Sequence, residues 1–171
     1  MLKNQMRLQI ITPTFYLPNG KVLKQKKRWM PGITMPYLAA LVPGNKNGEV
    51  FIKLVDDRIE EIDFDSHWDL VCLTVMTHQA TRALEIIKKF KEKNVTVVVG
   101  GWHPTFFDDE LTKLADAVIF GEAEETWPRL IKDFQSGNLQ KIYKNDSPPE
   151  LVNLPIPRWD LVDLKKFRIP I

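Results

Sequence analysis

The sequence is poor in cysteine, since Cys72 is the single one among 171 residues. One thiol excludes an internal disulfide and any zinc or iron–sulfur site built from several thiolates of this chain. Long hydrophobic runs are lacking as well. The opening residues hold no apolar run longer than residues 8–11, and no later stretch approaches the ~18 apolar residues of a membrane span. We therefore expect a cytoplasmic protein without a signal peptide or a membrane span.

A strong charge of one sign is also missing. Lys and Arg number 24 against 22 for Asp and Glu, which gives a formal net charge of +2. This balance argues against a general binder of nucleic acid or membrane surfaces, so any partner must be recognised locally. The hydrophobic content of 44% supports a real core, and the length fits one domain with or without a tail.

Five short apolar segments predict β-strands, at residues 7–12, 50–55, 70–75, 95–99 and 117–120. The third and fourth are almost wholly apolar, as parallel strands buried on both faces are. Helical spacing of apolar residues predicts helices between and after them, with Thr34 and either Asp108 or Asp109 as N-caps. The alternation predicts an α/β fold with a doubly wound, mainly parallel five-stranded sheet in a flavodoxin-like or Rossmann-like three-layer sandwich.

The end of the chain differs from the rest in composition. Residues 143–171 contain five prolines and no periodic apolar face. We expect residues 1–142 to form the α/β domain, and residues 143–171 to form a Pro-rich linker toward a C-terminal domain that this chain does not contain.

Open α/β sheets bind ligands outside the carboxyl ends of their strands, where the strand order reverses. Gly100 and Gly101 follow the fourth predicted strand and have no side chain, so a ligand can approach the backbone there. Thr74 and Thr77 follow the third strand and offer hydroxyl groups beside them. A plain tight turn with capping threonines is the alternative explanation of these four residues.

The long loop after the first predicted strand, residues 13–32, is a second candidate edge for a ligand. Its residues 21–29, KVLKQKKRW, contain five cations. Such a run can contact a phosphate or an acidic partner surface, but a solvated loop is the simpler interpretation.

Two motifs follow the fourth and fifth predicted strands, GGWHPT at residues 100–105 and GEAE at residues 121–124. Together with DLVCLTVMTHQ at residues 69–79 and LPIPRWDL at residues 154–161, they resemble the cobalamin-binding domain at the N-terminus of many radical SAM enzymes. The resemblance covers about residues 70–161 well and the first half only loosely.

This resemblance implies that the nucleotide tail of cobalamin runs between sheet and helices, with the corrin ring over the strand ends. The two glycines would give the tail space, the two threonines would hydrogen-bond it, and His103 would bond a corrin amide. A structural role for His103 fits equally well. The implied cofactor-binding residues are Thr74, Met76, Thr77, Gly100, Gly101, His103, Gly121 and Glu122.

The resemblance also implies a partner, the radical SAM domain of the same parent chain, with its iron–sulfur cluster and S-adenosylmethionine. This chain lacks the three-cysteine motif that binds such a cluster. We therefore assign no catalytic residue and no metal ligand here, and expect radical chemistry only in the parent, a methyltransferase or related enzyme.

One departure concerns the axial ligand of cobalt. Cobalamin-dependent mutases and methyltransferases carry Asp-x-His-x-x-Gly after the first strand, whereas the loop TPTFYLPNGK has no histidine. Asp65-Ser66-His67 matches the start of that motif, but Leu70 stands where the glycine belongs and the triplet precedes the third strand. We expect bound cobalamin to be base-off, without a protein imidazole on cobalt.

A flavodoxin-like or receiver-like module that binds a phosphate, a flavin or a protein partner is the main alternative. A receiver requires an aspartate at the end of the third strand, where Val75, Met76 and Thr77 stand. A flavodoxin requires a compact Ser/Thr/Gly loop after the first strand, where prolines and aromatic residues dominate. Both alternatives fit the sequence less well.

Overall fold

A computed structural model describes residues 5–44, 47–107 and 109–168. Its centre is a sheet of six strands in the order β2-β1-β3-β4-β5-β6, with every neighbouring pair parallel. The strands are β1 Met6–Thr12, β2 Val50–Asp56, β3 Leu70–Thr74, β4 Thr96–Gly100, β5 Ala117–Ile119 and β6 Ile142–Tyr143.

The helices cover both faces of this sheet. They are α1 Thr34–Leu41, α2 Ala80–Glu92, α3 Trp102–Phe106, α4 Glu110–Leu114 and α5 Thr126–Gln135, with 3-10 turns at Thr77–Gln79, Trp159–Leu161 and Leu164–Lys166. No helix in the described part of the chain has the length and apolarity needed to cross a membrane.

The predicted α/β class, the doubly wound topology and the three layers are confirmed, but the predicted number of strands is wrong. The sixth strand, β6, has only two residues, too few to give a periodic signal. Tyr143 anchors it, since its ring is buried and its hydroxyl donates to Asp133 Oδ2 at 2.9 Å. The division at residue 142 stays a prediction, although Tyr143 lies within the sheet.

Two hydrophobic layers flank the sheet. On one face α1 and α5 pack on alternate residues of the central strands, and the buried Trp127 Nε1 donates to Leu38 O at 3.0 Å. On the other face lie α2, α4 and the segment 57–69, with Ile87 and Phe90 fully buried. The ~3.6-residue period of α2 and α5 predicts these buried stripes, because every third or fourth residue faces the sheet.

The two predicted helix caps have different outcomes. Asp109 caps α4 as expected, because its side chain accepts a hydrogen bond from Leu111 N at 3.0 Å, and Asp108 lies outside the described residues. The prediction for Thr34 is wrong, since it is the first helical residue and Ile33 is the N-cap without a side-chain bond. A Thr34 cap would accept from Pro36 or Tyr37, but Pro36 has no N–H and Tyr37 N already donates to Ile33 O at 3.0 Å.

The C-terminal segment folds back along the β2 side of the sheet. Arg158 N donates to Pro36 O at 2.9 Å, which ties the segment to α1. Arg28 pairs with Phe167 in a parallel bridge, with Arg28 N donating to Lys166 O at 3.2 Å and Arg168 N to Arg28 O at 2.8 Å. The long loop after β1 is therefore held by the far end of the described chain.

Candidate cofactor-binding site

The strand order reverses between β1 and β3, which are neighbours in the sheet but lead to strands on opposite sides. At their carboxyl ends the Thr12 and Thr74 hydroxyl oxygens are 2.9 Å apart. Two cavities open at this edge, and Thr34, Thr74 and Gly101 line both. This is the place where open α/β sheets bind ligands.

The first cavity, called here the acidic cavity, holds about 320 Å³ and lies between α1 and the start of α5. Strands β3, β4 and β5 form its floor, with Cys72, Gly100 and Ile119 among the lining residues. A Cβ on Gly100 would meet Ile119 Cβ at 3.4 Å, so the missing side chain leaves room on the helix-covered side of the floor. Burial raises the pKa of Cys72 to about 12, and its thiol stays neutral and unreactive.

A tyrosine and a glutamate form the polar wall of the acidic cavity. Tyr37 Oη donates to Glu124 Oε1 at 3.1 Å. Burial, and then this bond, raise the pKa of Tyr37 to about 12, so the hydroxyl keeps its proton. Glu124 Oε2 is buried and accepts no hydrogen bond within the described residues. A buried carboxylate oxygen without a donor is costly, and a ligand N–H or O–H would relieve it.

Gly101, in the wall that the two cavities share, has a different role from Gly100. Its φ is +105°, and a Cβ there would lie 3.0 Å from both the N and the O of Val75. The close approach accompanies two backbone bonds, Val75 N to Gly100 O at 2.8 Å and His103 N to Val75 O at 2.9 Å. The turn itself therefore requires this glycine, whether or not a ligand is present.

The second cavity, called here the arginine cavity, holds about 410 Å³ and lies at the ends of β1, β2 and β3. Asp56 is 3% exposed and receives two guanidinium groups. Arg28 Nη1 donates to Asp56 Oδ2 at 2.5 Å, and Arg58 Nε donates to Asp56 Oδ1 at 2.9 Å. All three side chains line the cavity.

The adjacent Asp57 is fully buried and anchors the surrounding elements. Arg82 Nε on α2 donates to it at 2.8 Å, Lys24 Nζ at 3.0 Å and the backbone N of Thr14 at 3.2 Å. Burial alone would raise the pKa of Asp57, but these donors outweigh it and hold the pKa below its usual range. The carboxylate therefore stays ionised and fixes the loop after β1 against α2.

The structure brings together six of the eight residues that the sequence singled out. Met76 lines the arginine cavity. Thr77 begins the 3-10 turn after β3 and is exposed, and the walls of the two cavities do not include it. The acidic cavity is lined by Thr74, Gly100, Gly101, Gly121 and Glu122.

His103 lies in α3 outside both cavity walls. Its side chain is 6% exposed, its Nε2 lies 2.8 Å from Asp109 Oδ2, and its ring stacks on Phe107 with the ring centroids 5.0 Å apart. These contacts tie α3 to the cap of α4, which is the structural alternative for this residue. His67 lies at the opposite, amino-terminal edge of the sheet, bonded to Asp69 next to β3.

Sequence reasoning missed five residues of the site: Tyr37, Glu124, Arg28, Asp56 and Arg58. Glu124 belongs to the GEAE motif, of which only Gly121 and Glu122 were assigned to the site. Tyr37 shares a face with Thr34 and Leu38 at helical spacing, which was a usable signal. Arg28 belongs to the basic run that a solvated loop explained. Asp56 and Arg58 lie at the end of the second strand and just after it. This segment was not counted among those that face the ligand.

The fold and the cavities define a doubly wound α/β domain built to hold a ligand at the carboxyl edge of its sheet. Residues 34–131, more than half of the 171, match the model of the B12 binding domain family. This chain belongs to the B12-binding domain family. The matched residues include the whole wall of the acidic cavity except Ile33.

Three relatives carry methyltransferase names. The bacteriochlorophyllide d C-8(2)-methyltransferase of Chlorobaculum tepidum is 38% identical over 57% of this chain. The bacteriochlorophyllide d C-12(1)-methyltransferase of the same organism is 30% identical over 66% of it. An uncharacterized methyltransferase of Synechocystis sp., sll1242, is 29% identical over 95% of it. The matches span only 22%, 25% and 31% of the lengths of these relatives, respectively.

Proposed function

We propose that this chain is the cobalamin-binding module of a cobalamin-dependent radical SAM methyltransferase, and that it holds the nucleotide tail of the cofactor in the acidic cavity. The observation that carries the proposal is the room above Gly100, between α1 and α5, in the part of the chain that matches the B12 binding domain. The proposal includes the rim residues Thr74, Met76, Gly101, Gly121 and Glu122, with Thr77 and His103 further out.

The residues of the cavity fit such a tail. Apolar side chains of Leu38 and Ile119 can pack against a flat base, while the Thr74 hydroxyl can donate or accept. The unpartnered Oε2 of Glu124 can accept a hydrogen bond from a ribose hydroxyl of the nucleotide. When bound, cobalamin supplies a cobalt centre that takes up and releases a methyl group.

The other residues of this chain position and shield the cofactor rather than react. Tyr37 keeps its proton and orients Glu124, so the carboxylate presents its free oxygen in a fixed direction. If the acidic cavity held the benzimidazole base of the tail, this base would not be available to cobalt. The loop of residues 13–32 contains no histidine that could take its place. The proposal therefore keeps the base-off state without a protein imidazole.

A further part of the proposal concerns the parent protein. The methyltransferase names of the relatives, and the small share of their length that this chain matches, support a larger chain with a radical SAM domain that carries the iron–sulfur cluster and S-adenosylmethionine. Large apolar side chains at the carboxyl edge support a covered surface, including Trp29 at 74% exposure, Met76 at 49% and Trp102 at 60%.

The test is retention of hydroxocobalamin after desalting, with Gly100→Ala and Gly100→Val as a matched pair. We expect wild type and the alanine variant to retain about one equivalent, because a Cβ at 3.4 Å from Ile119 Cβ is an ordinary contact. The branched valine extends into the cavity, so affinity should fall at least about tenfold, or about 1.4 kcal/mol.

Circular dichroism and thermal unfolding check that both variants fold. Wild type that retains no corrinoid in any redox state would contradict cobalamin binding and favour a protein-interaction module. A folded valine variant with unchanged affinity would place the tail elsewhere.

A further inference from the structure

The arginine cavity carries an imbalance of charge that its own ion pairs do not remove. Two guanidinium groups, of Arg28 and Arg58, face the single carboxylate of Asp56. Among the residues that line the cavity, the side chains that carry a full charge are Arg28, Arg58 and Asp56. Their net charge is +1. A partly buried cation in excess lowers its free energy by pairing with an anion.

The guanidinium groups also keep donors in reserve. Arg58 uses Nε and Nη2 on Asp56, at 2.9 and 3.2 Å, and Arg28 uses Nη1. No bond to another described residue uses Arg58 Nη1 or the Nε and Nη2 of Arg28. The side chains of Arg28 and Arg58 are only 23% and 19% exposed, respectively. Both are therefore restrained by their surroundings.

The backbone around Arg28 fixes it further. Its N and O are both bonded to the C-terminal segment, at Lys166 O and Arg168 N. Arg58 is fixed from its own side, because its N donates to Asp56 Oδ1 at 3.1 Å. Preorganised guanidinium groups of this kind suit the bidentate geometry of a phosphate or carboxylate oxyanion.

The neighbouring acidic cavity has the opposite character. Glu122 and Glu124 line it, and Lys and Arg are absent from its described wall. The two cavities share Thr34, Thr74 and Gly101, so one molecule can occupy both. A ligand with a hydroxyl-rich or basic part and an anionic part would place the former in the acidic cavity and the latter beside the arginines.

We propose that Arg28 and Arg58 form an oxyanion site for the phosphodiester of the cofactor's nucleotide tail. This inference rests on the proposed function, because the nucleotide tail joins base, ribose and phosphate in one chain. The arginines would donate hydrogen bonds to the phosphate, while the ribose hydroxyl would donate to Glu124. The hydroxyl groups of Thr12 and Thr34, which line the same cavity, can donate to the remaining oxygens.

The experiment compares three corrinoid probes: hydroxocobalamin, cobinamide phosphate, which keeps the phosphate but lacks the nucleoside, and cobinamide, which lacks both. Each is titrated against wild type, Arg58→Gln, Arg58→Lys and the control Lys26→Gln. Lys26 belongs to the loop that carries Arg28, is exposed and lines neither cavity. Its substitution by Gln makes the same change in net charge as Arg58→Gln. Inorganic phosphate alone is the fourth probe.

We expect Arg58→Gln to weaken hydroxocobalamin and cobinamide phosphate about tenfold and to leave cobinamide unchanged. Arg58→Lys keeps the charge but loses the planar fork, so it should recover only part of the affinity. Raised salt should weaken only the two phosphate-bearing corrinoids. Lys26→Gln should behave as wild type with every probe. Circular dichroism establishes that each variant is folded.

An equal loss for all three corrinoids, or no loss for any, would overturn the phosphate site while leaving cobalamin binding intact. Loss of inorganic phosphate binding alone, with cobinamide phosphate unaffected, would show a site for free phosphate and overturn its assignment to the cofactor. Wild type that binds none of the corrinoids contradicts the proposed function itself, which is a separate result from these.

Discussion

The acidic and arginine cavities share a wall but are built in different ways. The acidic cavity takes its residues from the ends of β3, β4 and β5 and from the helices on one face of the sheet. The arginine cavity takes its charges from the end of β2, from Arg58 just after it, and from the long loop that is bonded to the C-terminal segment. One cavity thus depends on packing within the sheet and its helices, and the other on ion pairs between distant segments.

The contrast extends to how each cavity treats its carboxylates. Asp56 and Asp57 have multiple cationic partners, whereas Glu124 has one neutral tyrosine and an oxygen without a donor. Paired buried carboxylates support the structure of the loop. An unpaired carboxylate oxygen is available to a ligand.

The largest effect is expected from removing the charge that supports the arginine cavity. Asp57→Asn leaves Arg82 and Lys24 without their buried anion, so the free energy of unfolding at neutral pH should fall by about 3–5 kcal/mol. Urea unfolding from pH 7 downward measures this difference between variant and wild type.

The difference has a defined pH dependence. The pKa of Asp57 is lower in the folded chain than in the unfolded one, so its stabilisation is complete above the unfolded value of about 3.9 and is lost as the pH falls through the folded value. The two unfolding free energies should therefore converge below about pH 4. A difference that stays constant down to pH 2 would contradict the role given to the ionised Asp57.

A smaller loss is expected at the wall that the cavities share. Gly101→Val places a branched side chain at a φ of +105° with its Cβ 3.0 Å from the backbone of Val75, and should cost about 2–4 kcal/mol. Gly20→Val is the matched control, because Gly20 has a φ of +76° but open space around its Cβ position. Urea unfolding of the two variants separates steric overlap from backbone strain.

The control should lose less stability than Gly101→Val. Equal losses in the two variants would mean that the close approach to Val75 contributes nothing. Because the turn itself requires Gly101, its valine variant is a poor probe of the ligand site. A loss of corrinoid binding in its valine variant would follow from a damaged turn, whereas Gly100 tests the cavity itself.

The fold was predictable because its signals are local. The apolar runs of β3 and β4 and the helical stripes of α2 and α5 repeat within single segments of the sequence. The two-residue β6 carries no such repeat. Its place depends on Tyr143, whose burial becomes visible only when α5 packs beside it.

The candidate site divides in the same way. Gly100, Gly121 and Glu122 follow strands directly, so the rule for strand ends finds them. The contact between Tyr37 and Glu124 spans 87 residues, and the contact between Arg28 and Asp56 spans 28. Both depend on which strands are neighbours and on how the loops fold back, and no spacing in the sequence encodes that.

The most direct test of the central claim is electron paramagnetic resonance of the cobalt(II) form, in wild type and in His103→Ala. If the acidic cavity holds the nucleotide tail, the benzimidazole cannot reach cobalt. The buried His103 is held by Asp109 and Phe107 outside both cavity walls, which keeps its imidazole away as well. The account predicts a spectrum without triplet splitting from an axial nitrogen in both proteins. A triplet that persists in His103→Ala would mean that the tail base remains on cobalt, and a triplet abolished in His103→Ala would identify His103 as the axial ligand; either result contradicts the account.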